Sequence, residues 1–248
     1  MNETFQPRRR ALLGIAMAAA AAPAVSGCAG HHKAEQATDA AQHAQTTSAK
    51  QLGEPLSGTP GDGPQVLMMI RHAEKPTGSG APYGLTPDGE HDDKSLTVQG
   101  WTRAGALIGL FAPRTGADAP APVPAGLTRP TSVYAANPTG ASKRPYQTVT
   151  PLAAALGGIP DSKFAKGKEA ELAKALLALS GSVLVAWEHQ SIPAIVAHLG
   201  PVTPAPPTKW PDARFDVVWV FTRAASGGWT FTQVPQVLLA DDLPTPIA

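Results

Sequence analysis

The chain has a single cysteine, Cys28, among its 248 residues. No intramolecular disulfide can form, so stability must come from burial of apolar surface. Excess charge of either sign is also missing, since 20 Lys and Arg against 19 Asp and Glu leave a formal net charge of +1. That balance gives no broad field to draw nucleic acid or an acidic surface, so any anion site must be assembled locally from a few basic side chains. No glycine-rich loop of nucleotide-binding spacing is present, and nothing is spaced as a structural metal site. The tryptophans, Trp101, Trp187, Trp210, Trp219 and Trp229, stand apart from one another and are expected as core packing.

What is present begins with an address. Arg8, Arg9 and Arg10 precede an uncharged, alanine-rich stretch from Ala11 to Val25, the layout of a secretory signal. The stretch is short for a helix that spans a bilayer. Arg9-Arg10-Ala11-Leu12-Leu13 resembles a twin-arginine export signal, and Val25-Ser26-Gly27-Cys28 resembles a bacterial lipobox. The second resemblance implies lipidation of Cys28 as a membrane anchor, with a plain cleaved signal as the alternative. Residues 29–64 are rich in Ala, Gln, Thr, Ser, Gly and Pro with few large apolar side chains, a composition that does not offset its ordering entropy and predicts a flexible linker. His31, His32 and His43 fall within it, where scattered histidines read as polar spacer. The expected organisation is a signal peptide over 1–28, a linker over 29–64 and one folded domain over 65–248, exported and facing the periplasm or the cell exterior. A domain of roughly 185 residues buries about two-thirds to three-quarters of its unfolded surface and needs no staple.

Within the domain, Gln65 to Ile70 is a continuous apolar run of strand length that stops at Arg71-His72-Ala73-Glu74-Lys75-Pro76. A Gly-, Pro- and Asp-rich loop from Thr77 to Lys94 follows. Ser95 or Thr97 then caps a helix carrying Trp101, Ala104, Leu107, Ile108 and Phe111 on one face. Beyond a proline-rich connector, Thr131 to Ala135 predicts a strand and Ser142 to Leu156 a helix. Lys168 to Leu179 predicts another helix, Ser182 to Trp187 a buried strand and Ile192 to Leu199 a helix opening near Pro193. Phe215 to Thr222 and Trp229 to Val234, around Ala224-Ala225-Ser226-Gly227-Gly228, predict a closing hairpin. Alternation of strands and helices gives an α/β class with a mostly parallel sheet.

Ligands of open α/β sheets collect at the carboxyl ends of the strands. Three strand ends carry polar groups here: Arg71 and His72, then Ser142, Lys143 and Arg144 at a helix start, then Glu188, His189 and Gln190. Two guanidinium groups, two imidazoles and a helix N-terminus suit a phosphoryl group, whose oxygens match arginine forks and backbone N–H groups.

Val66-Leu67-Met68-Met69-Ile70-Arg71-His72-Ala73-Glu74-Lys75-Pro76 resembles the strand and Arg-His-Gly signature of the histidine phosphatase superfamily, with Ala73 in place of the usual glycine. Ser142-Lys143-Arg144-Pro145-Tyr146-Gln147-Thr148 resembles its second arginine segment, and Val183-Leu184-Val185-Ala186-Trp187-Glu188-His189 the strand leading to its second histidine. Trp210-Pro211-Asp212, before Phe215 to Phe221, is similar to small bacterial members. The resemblance implies a three-layer phosphoglycerate-mutase-like fold, with helices on both faces of a mostly parallel sheet. It implies that His72 attacks phosphorus while Arg71, Arg144 and His189 bind the phosphoryl oxygens, with Ser142 as a further substrate contact, and without cofactor or metal. The implied partner is a small phosphorylated substrate or a phosphohistidine-bearing protein, alongside the membrane that holds the anchor; nucleic acid is not expected.

The proton donor to the leaving group is Glu74 in this reading, with Glu90, Asp92 and Asp93 of the following loop as alternatives. Glu169 and Glu171 are expected to decorate a helix, and Glu188 to face away from His189 unless the strand has already ended. The competing function is a lipoprotein that binds phosphate or a phospholigand without turnover. Mutase activity is disfavoured by the short loops after the strands.

Overall fold

The structure, a computed structural model, describes residues 53–248 apart from Ala117 and Ala141. The expected signal segment, Cys28, and His31, His32 and His43 lie outside the described residues. Six strands form one sheet: β1 (Val66–Arg71), β2 (Ser132–Ala135), β3 (Ser182–Trp187), β4 (Val202–Thr203), β5 (Val217–Arg223) and β6 (Trp229–Pro235), in the order β2-β3-β1-β5-β6-β4. β2, β3 and β1 run parallel to one another, as do β4 and β6, while β5 is antiparallel to both of its neighbours. The protein is therefore α/β with a mixed, mostly parallel sheet. β4 has only two residues, too few to leave a pattern in the sequence, and extends the sheet beyond the predicted hairpin.

Side chains alternate across β1, so that Leu67 and Met69 enter one apolar cluster and Met68 and Ile70 another. The second cluster takes up α1 (Val98–Phe111), through Leu107 and Phe111, and α2 (Arg144–Ala155), through Val149 and Leu152. The first takes up α3 (Glu169–Leu177), through Leu172 and Leu176, and α4 (Ile192–Val196), through Ile192 and Ile195. Helices thus cover both faces, which is why β1 is apolar from Val66 to Ile70, β3 from Val183 to Trp187, and every residue of β3 is buried.

The helix starts follow local chemistry. Thr97, rather than Ser95, caps α1, its hydroxyl accepting the Gly100 N–H at 3.2 Å. α2 starts at Arg144, two residues after the expected Ser142, with Pro145 in its first turn, where a missing N–H costs nothing. α4 ends at Val196, short of the expected Leu199, and α3 at Leu177 rather than Leu179.

Residues 53–64, expected as the end of the linker, lie against the domain. The Leu56 N–H donates to the Ile159 carbonyl at 2.8 Å, the Val133 N–H to the Leu56 carbonyl at 3.0 Å, and the Tyr134 hydroxyl to the Ser57 carbonyl at 2.6 Å. β2 is an edge strand whose outer backbone groups need partners. Backbone pairing of this kind holds a segment that has little apolar surface of its own, which composition does not reveal.

Candidate active site

β1 and β3 end in register, Arg71 opposite Trp187, and the His72 N–H donates to the Trp187 carbonyl at 3.0 Å. His72 is the first residue beyond β1 and His189 the second beyond β3, so both leave the sheet at the same end. α2 is tied to this end through Thr148. Its hydroxyl donates to the Arg144 carbonyl at 2.7 Å and accepts the Ala73 N–H at 2.8 Å, fixing the start of α2 against the residue after His72. The structure brings together Arg71, His72, Arg144 and His189. The positive charges of Arg71 and Arg144, together with His189, weigh against protonation of His72.

His72 is 3 % exposed. Its Nδ1 lies 2.7 Å from the Ala73 carbonyl, which can only accept, so Nδ1 carries the hydrogen and Nε2 the lone pair. Burial, followed by the neighbouring cations, depresses its pKa from 6.5 to about 3, keeping the ring neutral and nucleophilic near pH 7. Ala73, where the resembling signature has glycine, sits at an ordinary negative φ, and its methyl group packs with Leu96, Ala104 and Trp101. The extra carbon fills core space and strains nothing.

Arg71 is almost wholly buried, with its guanidinium carbon 3.7 Å above the Phe215 ring. Its Nη1 donates to the Asp212 carbonyl at 2.5 Å and makes longer contacts to those of Pro211 and Arg214. Among the described residues its Nε and Nη2 have no partner. Burial is the main cause of a pKa lowered to about 10, which leaves the group charged at neutral pH. Arg144 reaches the loop before α1, donating from Nε to the Ser95 carbonyl at 3.3 Å and from Nη2 to the Asp93 carbonyl at 2.5 Å. The Ser142 hydroxyl accepts the Arg144 N–H at 3.3 Å and keeps its own hydrogen for donation.

His189 meets a group that the sequence left without a role. Its Nε2 lies 2.5 Å from Oδ1 of Asp212, while its Nδ1 is buried without a partner among the described residues. Burial and then the Arg71 charge lower its pKa, and Asp212 opposes them. Among the described residues, six buried side-chain nitrogens and oxygens lack a hydrogen-bond partner. Four of them fall here: Nε and Nη2 of Arg71, Nδ1 of His189 and Oε2 of Glu74. Such groups are costly to leave unmet, and their concentration at one sheet end marks a place built to receive polar atoms.

Glu74 is held rather than free. Arg103 of α1 donates to its Oε1 from Nε at 2.9 Å and from Nη2 at 2.7 Å, and pairs in turn with Asp242 at 2.6 Å. The carboxylate therefore meets the adjoining cavity as one half of a buried ion pair, an arrangement that fixes negative charge in place. Of the loop alternatives, Asp92 and Asp93 lie beside Arg144. A hydrogen bond from Ser95, with Lys143 next, draws the Asp92 pKa down to about 2, which suits an anion rather than a proton donor at neutral pH. Glu90 is exposed, and the backbone carbonyl of Asp93 is engaged by Arg144. Glu169 accepts the Trp187 indole N–H at 3.0 Å and Glu171 pairs with Lys168, both on α3. β3 stops at Trp187, so Glu188 lies beyond the strand, where it contacts Lys166 and acts on Arg144.

No family model matches the chain, and no curated protein matches it.

Proposed function

We propose that the chain is a phosphatase of the histidine phosphatase type, with the phosphoglycerate-mutase-like fold that its motifs resemble. The observation that carries this reading is the state of His72: buried, neutral, with Nδ1 committed to the Ala73 carbonyl and Nε2 left as the base, beside unpartnered donors of Arg71.

In the first step the Nε2 lone pair attacks phosphorus, the bond from phosphorus to the ester oxygen breaks, and the alcohol leaves with that electron pair and takes up a proton. In the second, water attacks the phosphohistidine, the phosphorus–nitrogen bond breaks and His72 returns to its neutral form with release of phosphate. Arg71, through Nε and Nη2, and Arg144 stabilise charge on the equatorial oxygens in both steps. An arriving phosphoryl dianion favours protonation of His189, which then donates from Nδ1 to the anion while Nε2 stays on Asp212. Glu74, expected as the donor to the leaving oxygen, is taken up by Arg103 on Oε1, and in this scheme the departing alcohol takes its proton from solvent. Lipidation at Cys28 belongs to the same proposal and would present the domain at a bacterial membrane surface.

The test is release of phosphate from an aryl phosphate by the purified full chain in the presence of EDTA, for wild type, His72→Ala and His189→Ala. The proposal expects release by wild type and none by His72→Ala. Binding of phosphate by wild type without release, repeated with a phosphohistidine substrate, would instead support a binding-only lipoprotein.

A further inference from the structure

We propose, on the basis of the phosphatase reading above, that the substrate's leaving group carries an N–H-bearing cation, an ammonium or guanidinium group, seated in the cavity beside Glu74. The cavity has a volume of about 350 Å³, and its walls include Glu74, Lys75, Thr97, Arg103, Asp212 and Phe215. It adjoins the phosphoryl pocket. Phe215 stacks under the Arg71 guanidinium and lies 6.1 Å from the His72 ring, and Asp212 is bound to His189. Through Phe215 and Asp212 the cavity is continuous with the phosphoryl pocket, so a group joined to phosphorus through one ester oxygen at His72 has room to extend into it.

Two independent features select what it takes. The first is charge: five carboxylates line the cavity, those of Glu74, Asp212, Asp216, Asp241 and Asp242, against two cations, Lys75 and Arg103. Counting Arg214, which pairs with Asp216 at 2.7 Å, the carboxylates still outnumber the cations. The second is an unmet acceptor. Glu74 is 9 % exposed, and both of its bonds from Arg103 fall on Oε1, leaving Oε2 buried with no donor among the described residues. A carboxylate oxygen only accepts, so what completes it must bring a hydrogen, and the charge of the walls favours a cation that brings one. The volume is at the low end of small-molecule sites, of about 300–1,000 Å³, which fits a compact amino alcohol.

The chemistry agrees. A positive charge near the ester oxygen withdraws electron density and makes the departing alcohol less basic. It therefore leaves more readily from a site whose carboxylate nearest the pocket is tied up in an ion pair.

The experiment compares kcat/KM of the full chain for 2-aminoethyl phosphate and for propyl phosphate, which has the same shape with a methyl group in place of the ammonium, in wild type and in Asp241→Asn. Asp241 lines the cavity and is exposed. A wild-type preference for the aminoethyl ester of tenfold or more, reduced severalfold in Asp241→Asn, is expected. Equal turnover of the two esters, turnover of an aryl phosphate but of neither ester, or a preference that Asp241→Asn leaves untouched overturns the inference and leaves the phosphatase reading standing. Failure of all three substrates overturns both.

Discussion

Asp212 stands before His189, its Oδ1 2.5 Å from Nε2, and its own backbone carbonyl accepts the hydrogen bond of Arg71. One residue thus holds both the second histidine and the buried arginine, and places a negative charge where an anion would approach them. Its carboxylate is exposed, so its repulsion of an incoming anion is present but screened by solvent and salt. Asp212→Asn should lower the inhibition constant for inorganic phosphate about three- to tenfold, measured by competition against an aryl phosphate. Weaker inhibition would assign Asp212 to holding His189 rather than to opposing the anion.

Gly100, in the first turn of α1, lets the helix touch the loop after His72. A Cβ there would lie 2.5 Å from the Glu74 carbonyl oxygen and 3.0 Å from its nitrogen. Alanine is the better helix former by about 1 kcal/mol, yet Gly100→Ala must push α1 away from that loop and break the 3.0 Å bond from the Thr97 N–H to the Glu74 carbonyl. The variant should be less stable than wild type in thermal unfolding and lose activity with it. A stabilised variant would show that the loop gives way freely.

Arg103 binds Glu74, Asp242 and Gln236 from a position 3 % exposed. Replacing it with methionine keeps the volume and strands two acidic side chains. Removing one partner of a buried ion pair commonly costs about 3–5 kcal/mol, and about 2–4 °C per kcal/mol is expected at this size. Arg103→Met should therefore lower Tm by about 10 °C or more in calorimetry. A change within about 2 °C would mean that the network contributes little.

Stability should depend on pH through His72. Its pKa falls from 6.5 to about 3 on folding, mainly through burial, so between these values the unfolded chain binds a proton that the native chain does not. Stability from this group is complete above pH 6.5 and declines as pH falls toward 3, by up to about 1.4 kcal/mol per pH unit. His189, depressed for the same first reason, adds to the slope. Urea unfolding of wild type and His72→Asn between pH 7 and 4.5 should show the steeper loss in wild type. Parallel curves would contradict the buried, neutral imidazole.

Much of the framework is legible in the sequence because both-sided burial leaves a plain mark. The apolar runs Val66 to Ile70 and Val183 to Trp187 lie in the two central parallel strands, and the basic groups that follow them meet because parallel strands end together. What escaped are polar partnerships across long separations. Arg103 adjoins Ala104 on a helix face that reads as apolar, and nothing near it in sequence announces Glu74 or Asp242. Thr148 looks like any helix residue, although its hydroxyl joins α2 to the loop of His72. Asp212 lay inside a segment singled out for its resemblance, but its hold on His189 depends on how residues 210–214 wrap over Arg71.

The most direct test of the central claim is to mix the full chain with an aryl phosphate, quench in base within one turnover and locate phosphate by peptide mass spectrometry. A phosphoryl group on the His72 peptide, lost on acid treatment and missing from His72→Ala, is the predicted result. Turnover by wild type with no phosphoryl group on His72, or undiminished turnover by His72→Ala, would contradict the account.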